Sequence, residues 1–369
     1  LINLMINKYI YLVFILLIYS VIAEGQNTVC FDIEPNPNSS DPAFSEFTKY
    51  INVFGIGIYA EDGVSNEKVK HVAAIFAEWL DNNEDSIVDN SLVLNELLSR
   101  GALMPVFEDE GSPAEISFFE NYNGDGVSAV CYEFEIITYR PLVNEFDATI
   151  EENLHTISSL GYANAYPSAF SEEENSNSLL TLAMDLARGG HFTSIPNPYP
   201  PEAWYHYDDY TCDYECMATE YFYWGLTSML GIQDYGNRCA YISNEWEPCT
   251  ANQFQVTDTS LYDLLSNPMY MLPTSAPDGN YCPITSTIEE PKSNLNTGDI
   301  KIYPNPGEDI LNIESEYEIN HIQIIDSNGN SVKEVSVNGV LLSLDITSLK
   351  TGSYILHING EASEKLIIR

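Results

Sequence analysis

Residues 148–157 read ATIEENLHTI, and this run decides how the middle of the chain is understood. Ile150, Leu154, Ile157 and Leu160 recur at intervals of three and four, and Gly161 ends the run. That spacing predicts an amphipathic helix over 148–160. On it Glu151 and His155 lie one above the other, with Glu152 about 100° further round. A carboxylate and an imidazole one helical turn apart can hold a single metal ion between them. The plainer alternative is a surface Glu–His pair.

Outward from this helix, the composition bounds the rest. The chain has 369 residues, enough for two or three domains, and its 44% hydrophobic content is that of a globular protein. Fourteen Lys and Arg stand against 55 Asp and Glu, a formal net charge of −41. Such a surface repels phosphate backbones and anionic lipid, which excludes nucleic acid as a partner. Solubility and divalent-cation binding are what the acidity favours.

Near the N-terminus, Lys8 precedes the apolar run 9–22, YIYLVFILLIYSVI, and Val21 and Ala23 form a small-residue cleavage pattern. Residues 1–24 are therefore expected to be a signal peptide, and no retained membrane span is expected. Seven cysteines lie between Cys30 and Cys282, and in an exported protein they read as disulfides with one left over. Cys212 and Cys216, four apart, are expected to bridge to other segments such as Cys239 or Cys249 rather than to each other.

Residues 25–45 are polar and rich in Pro and Asn, a lead-in. Residues 46–285 form a predominantly α-helical (α+β), disulfide-bearing body, and 286–299, lacking apolar periodicity, form a linker. Residues 300–369 change texture, to short alternating runs separated by turn signals. The ordered series IYPNPGEDILNI, IIDSNGNSVKE, LDITSLKTGSYILHI and a terminal KLIIR resembles the C-terminal sorting domain (type A) of the type IX secretion system of Bacteroidota. The resemblance implies an all-β immunoglobulin-like sandwich, the secretion translocon as partner, and a secreted or cell-surface destination across the outer membrane. It implies no catalysis.

Two candidate cation sites fall in the body. Between the helical patterns at 66–80 and 91–99, oxygen side chains alternate at Asp81, Asn83 and Asp85, followed by Asp89. This spacing resembles calcium loops of the EF-hand kind, with Ser86 in place of the usual turn glycine and Leu92 in place of the closing Glu. A solvated acidic loop is the alternative. The second candidate is the 148–160 helix. Residues 151–155 resemble the His-Glu-x-x-His helix of zincin hydrolases, with Glu151 where the first histidine stands. In the gluzincin group a further Glu ligand comes from a later helix. Glu220, 65 residues after His155 on a predicted aromatic helix at 214–230, matches it in kind.

The resemblance implies Glu151, His155 and Glu220 as ligands of zinc or another divalent ion, with His191, delivered past the Gly189-Gly190 break, as a further candidate. It implies Glu152 as the base of a peptidase-like hydrolysis, and His206 or a tyrosine of WYHYDDY as the group facing substrate. His71 is expected to be exposed. The rival reading is non-catalytic: a calcium-stabilised binding or adhesion module, its aromatic stretch 204–224 stacking on glycans.

Overall fold

The computed structural model describes residues 30–138, 146–283, 300–307, 309–326, 331–359 and 362–368. The expected signal peptide and the 286–299 linker lie outside the described residues. The chain divides into two compact units, Leu1–Thr285 and Ser286–Arg369.

The first unit, the body, holds a five-stranded mixed sheet in the order β1-β2-β3-β4-β5. Its strands are β1 (Glu34–Pro35), β2 (Phe47–Val53), β3 (Ile56–Glu61), β4 (Leu103–Phe107) and β5 (Cys131–Tyr132). The β2–β3 hairpin turns at Phe54 and Gly55, both at positive φ, the backbone a two-residue loop between twisted strands demands. Strands β3, β4 and β5 then run parallel, so helical crossovers join them. Helices α1 (Asn66–Leu80) and α2 (Ser91–Ser99) make the first crossover, and α3 (Pro113–Asn121) the second.

Both faces of this sheet are covered. Ile56, Ile58 and Ala60 face the main core with α1, whereas Tyr59, Leu103 and Phe107 pack with Phe44 and Phe118 on the other side. Every residue of β3 and β4 is buried, so neither strand shows the alternation of a half-exposed one. The expected polar lead-in is part of this packing, because β1 joins the sheet and Phe44 is buried.

Beyond the sheet lie α4 (Ala148–Thr156), α5 (Leu179–Ala187), α6 (Tyr214–Met229), α7 (Arg238–Ile242), α8 (Ala251–Thr257) and α9 (Thr259–Leu265). Helix α4 continues into a π turn, Ile157–Tyr162. Side chains strap it to α1: Asn153 Nδ2 donates to the Val72 carbonyl at 2.9 Å, and Trp79 Nε1 to that of Ile150 at 3.2 Å. Asp147 caps α4 through the Thr149 N–H and meets His71 Nε2 at 2.6 Å. His71 is thus buried, against the expectation that it is exposed. From residue 71 onward α1 is enclosed all round, by sheet on one side and α4 on the other.

Three disulfides are present: Cys30–Cys282, Cys212–Cys216 and Cys239–Cys249, with Cys131 a buried free thiol. The expectation that Cys212 and Cys216 bridge elsewhere is corrected. Asp213 is the N-cap of α6, so Cys212 stands just outside the helix and its Cα reaches 5.4 Å from that of Cys216.

Helix α6 sits deep because Gly225 lets α9 approach it. A Cβ at that position would come within 2.3 Å of Leu261 Cδ2, and Leu261 is fully buried with nowhere to move. Gly225→Ala is therefore expected to lose about 1–2 kcal/mol of stability, overpacking outweighing alanine's better helix propensity. A denaturant midpoint equal to that of the parent would refute this close approach.

The second unit is an all-β, curled antiparallel sheet: β6 (Ile300–Tyr303), β7 (Ile310–Asp326), β8 (Ser331–Asp345), β9 (Gly352–Ile358) and β10 (Ala362–Ile368). The order is β10-β9-β7-β6, with β8 also on β7. Strand β7 is long enough to pair with β6 in its first part and with β9 in its second. Among the described residues the hydrogen bonding joins all five strands into this one sheet. Ile313, Ile322, Ile324, Leu356, Ile358 and Leu366 fill its core.

Candidate metal centre

Glu151 and His155 project from α4 toward α6, and Glu220 projects from α6 to meet them. One ligand atom from each lies within 4.8 Å of the other two; among the described residues this is the only such group of three. His155 Nε2 stands 3.6 Å from Glu220 Oε2. That nitrogen is buried and has no hydrogen-bond partner, although the residue is only 8% exposed. A buried, unpaired imidazole nitrogen is costly unless a donor, acceptor or cation completes it. Glu220 Oε1 accepts a hydrogen bond from the Tyr207 hydroxyl at 3.3 Å.

The electrostatics of the group follow from crowding three ionisable side chains in a poorly hydrated place. Burial, and then the Glu220 charge, push the Glu151 carboxyl well above the usual carboxylate range, with His155 and Tyr223 holding it back in part. Burial pulls the His155 imidazole down. Glu220 most of all, with Glu152 and Glu151, more than reverses this and raises it to about 10. Glu151 and His155 therefore retain protons at neutral pH, and an ion that binds them displaces those protons.

Glu152 stands on the other side of the ring, its Oε2 3.8 Å from His155 Nδ1. Burial raises its carboxyl to about 7. At that distance it faces the Nδ1 side of the ring by charge and not through a hydrogen bond, while Nε2 faces Glu220. Glu152, the expected base, is not among the residues that wall the pocket beside this group.

The group opens into a pocket of about 510 Å³, whose walls include Glu151, Tyr207, Glu220, Trp224, Arg238 and Glu245. Two loops shape it. The His206 N–H donates to the Glu245 carbonyl at 2.7 Å and the Glu247 N–H to that of Trp204 at 3.1 Å, locking residues 204–207 against 245–247.

The other expected site residues lie elsewhere. His191 is exposed and bonded through Nδ1 to Asp185 at 2.8 Å, with Glu174 3.6 Å from Nε2. Gly189 and Gly190, both at positive φ, turn the chain toward that pair, so His191 does not join Glu151, His155 and Glu220. The His206 ring packs against Tyr199 and is not among the pocket walls.

In the 81–89 loop, Asp81 Oδ2 accepts from the Ser86 N–H and the Tyr281 hydroxyl. Asn83 and Asp81 Oδ1 both accept from the Asp85 N–H, and Asp89 accepts from the Asn82 N–H. Ser86 takes φ +72°, the conformation for which glycine is usual. The aromatic stretch 204–224 is mostly core: Tyr205, Tyr214, Tyr221, Phe222 and Tyr223 are buried, and Trp204 Nε1 donates to Asp258. Glu245, which walls the pocket, carries no signal in the sequence. It stands in an unpatterned segment, NEWEPC.

Comparison with known proteins bears on the second unit alone. Residues 301–369 match the family model of a secretion system C-terminal sorting domain. The protein is therefore cargo of that secretion system, exported across the outer membrane to the cell surface or beyond it. Among the described residues no helix is long and apolar enough to cross a membrane. No curated protein and no solved structure matches the chain.

Proposed function

We propose that the exported body is a metal-dependent hydrolase whose single divalent ion is held by Glu151, His155 and Glu220. The observation that carries this reading is the convergence of those three side chains, with a buried His155 Nε2 that has no hydrogen-bond partner, beside an open pocket that Glu151 and Glu220 wall. Three protein ligands beside open space is the pattern of catalytic metal sites, whereas structural sites are closed by four. Two carboxylates and one imidazole suit zinc, manganese or iron.

A bound ion there would lower the pKa of a coordinated water and polarise a carbonyl. The chain's own residues supply the rest. Glu152 faces the Nδ1 side of the imidazole by charge, which makes it a positioning residue. Tyr207, which walls the pocket, donates its hydroxyl proton to Glu220 Oε1 and so holds that ligand carboxylate in place. A peptide or other amide is the substrate class the zincin likeness of residues 151–155 suggests.

The test is metal content by elemental mass on the full chain, followed by activity on a peptide panel before and after chelation. Stoichiometric uptake is expected, tighter at pH 8 than at pH 6 because protons are displaced. His155→Ala and Glu220→Gln should abolish uptake. Glu152→Gln should keep the metal but weaken it by roughly 10–100-fold. Equal metal uptake by His155→Ala and the parent would remove the basis of the reading. Hydrolysis unchanged by chelation would remove its catalytic part.

A further inference from the structure

The three candidate ligands come from two helices, so the centre exists only while α4 and α6 keep one spacing. Across their interface the His155 and Tyr223 rings meet edge-on, centroids 5.7 Å apart. Four residues beyond His155, in the π turn, Ser159 faces Thr219, the residue before Glu220. Ser159 Oγ lies 3.2 Å from Thr219 Oγ1, which can donate to it, and its own proton goes to Glu172 Oε1 at 3.0 Å. One hydroxyl from each helix thus leads to a single carboxyl, supplied by a third segment, the loop that follows Phe170. The backbone of Ser159 is held as well, because Asn164 Nδ2 donates to the carbonyls of Ser159 and Leu160 at 2.9 and 3.2 Å.

A carboxyl in this place works against stability. Burial raises Glu172 to about 7, although the Ser159 and Thr219 hydroxyls, and then the His155 charge, hold it back. An apolar side chain would fill such a space between helices at lower cost. What a hydrogen-bonded clasp supplies, and apolar packing does not, is a fixed distance and register between the two helices. The clasp stands four residues from one candidate ligand and one residue from another. Metal ligands must be held to within about half an ångström of their working geometry, and residues behind them do the holding.

We infer that Glu172 is a positioning residue: through Ser159 and Thr219 it sets how far His155 stands from Glu220, and so how tightly and in what geometry the group holds its ion. This rests on the metal-centre reading for the ion itself. It adds a third element to the centre, one that neither α4 nor α6 supplies.

Two readings on the full chain at pH 8 test it: zinc affinity by competition with a chelating indicator, and the visible absorption of the cobalt-loaded chain, which reports coordination geometry. Glu172→Ala should bind zinc roughly 10–100-fold more weakly than the parent and show an altered cobalt band. Glu172→Gln keeps an oxygen acceptor for Ser159 and should restore both readings. Ser159→Ala/Thr219→Val, which removes the two hydroxyls, should lose as much as Glu172→Ala. Adding Glu172→Ala to that pair should cost nothing further.

Parent-like zinc affinity and cobalt absorption in Glu172→Ala overturn the inference, as do losses that add in the triple variant or that Glu172→Gln fails to restore. Should Glu172→Ala fail to fold, the hydroxyl pair carries the test, and parent-like values there overturn it equally. A parent that takes up no metal refutes the metal-centre reading alone. Hydrogen exchange of the metal-free chain then decides this one. Faster exchange in Glu172→Ala confined to residues 153–162 and 215–223 supports the clasp, whereas exchange unchanged there, or raised throughout the body, overturns it.

Discussion

Trp246→Ala is expected to lose about 3–5 kcal/mol of stability, the range for removing a fully buried large aromatic. Trp246 is 0% exposed and packs edge-on against Tyr205 and Tyr221 and alongside Phe254. Its Nε1 donates to the buried Ser228 hydroxyl at 2.9 Å, so the substitution also strands a polar group. The consequence reaches the candidate site, because Trp246 forms a β-bridge with Tyr205 and directly follows Glu245. Without the indole, both loops that wall the pocket lose their common anchor. Trp246→Phe keeps most of the bulk and should cost far less. Urea titration distinguishes the two. A Trp246→Ala midpoint matching the parent would contradict the packing described.

A second large effect is a fall in stability as pH rises through neutrality, opposite to the acid lability of proteins with paired surface carboxylates. Glu78 is 3% exposed, and burial raises its carboxyl to about 7, although the N–H groups of Asp278 and Gly279 donate to Oε2 and resist the shift. Its other oxygen has no partner.

Because the folded chain holds this proton more tightly than the unfolded chain, the associated stability is fully present below about pH 4.5. It is lost as pH rises through about 7. Burial raises Glu172 and Glu245 to about 7 as well, and both act in the same direction. Glu78→Gln keeps an oxygen for the two backbone donors and removes the charge. At pH 8 it should exceed the parent by on the order of 2 kcal/mol, several degrees in Tm, and at pH 4.5 the two should coincide. Thermal melts in chelator at both pH values decide the matter, and a variant no more stable than the parent at pH 8 would refute it.

Helix α4 was legible because Ile150 and Leu154 mark one face, and that face fixes where Glu151 and His155 point. Glu220 stood out as a carboxylate among aromatics on a helix of its own. The mixed sheet was much harder to see. Strands β3 and β4 are buried on both faces, so they lack alternation, and β1 and β5 are only two residues long. His71 misled for a related reason: helical spacing identifies an apolar stripe, but it cannot show that sheet and helix close over the remaining sides. His191 depended on the backbone after Gly189, where two positive φ values set a direction no pattern encodes. Glu245 reaches the pocket through a loop clasp between segments about 40 residues apart, a tertiary fact that spacing does not register.

The Cys30–Cys282 bridge joins positions 252 residues apart, nearly the two ends of the body. In chain-entropy terms closing so long a loop is worth about 5 kcal/mol against unfolding. It also changes the body's connectivity. The polypeptide from Cys30 to Cys282 is a covalent ring, and the sorting domain hangs from it as a pendant. A single proteolytic cut inside the ring opens it without releasing a fragment. A cut in the pendant chain after Cys282 detaches the sorting domain and leaves the ring closed. Outside the cell, among proteases, the part that carries the candidate site thus tolerates a break that would sever an unbridged chain.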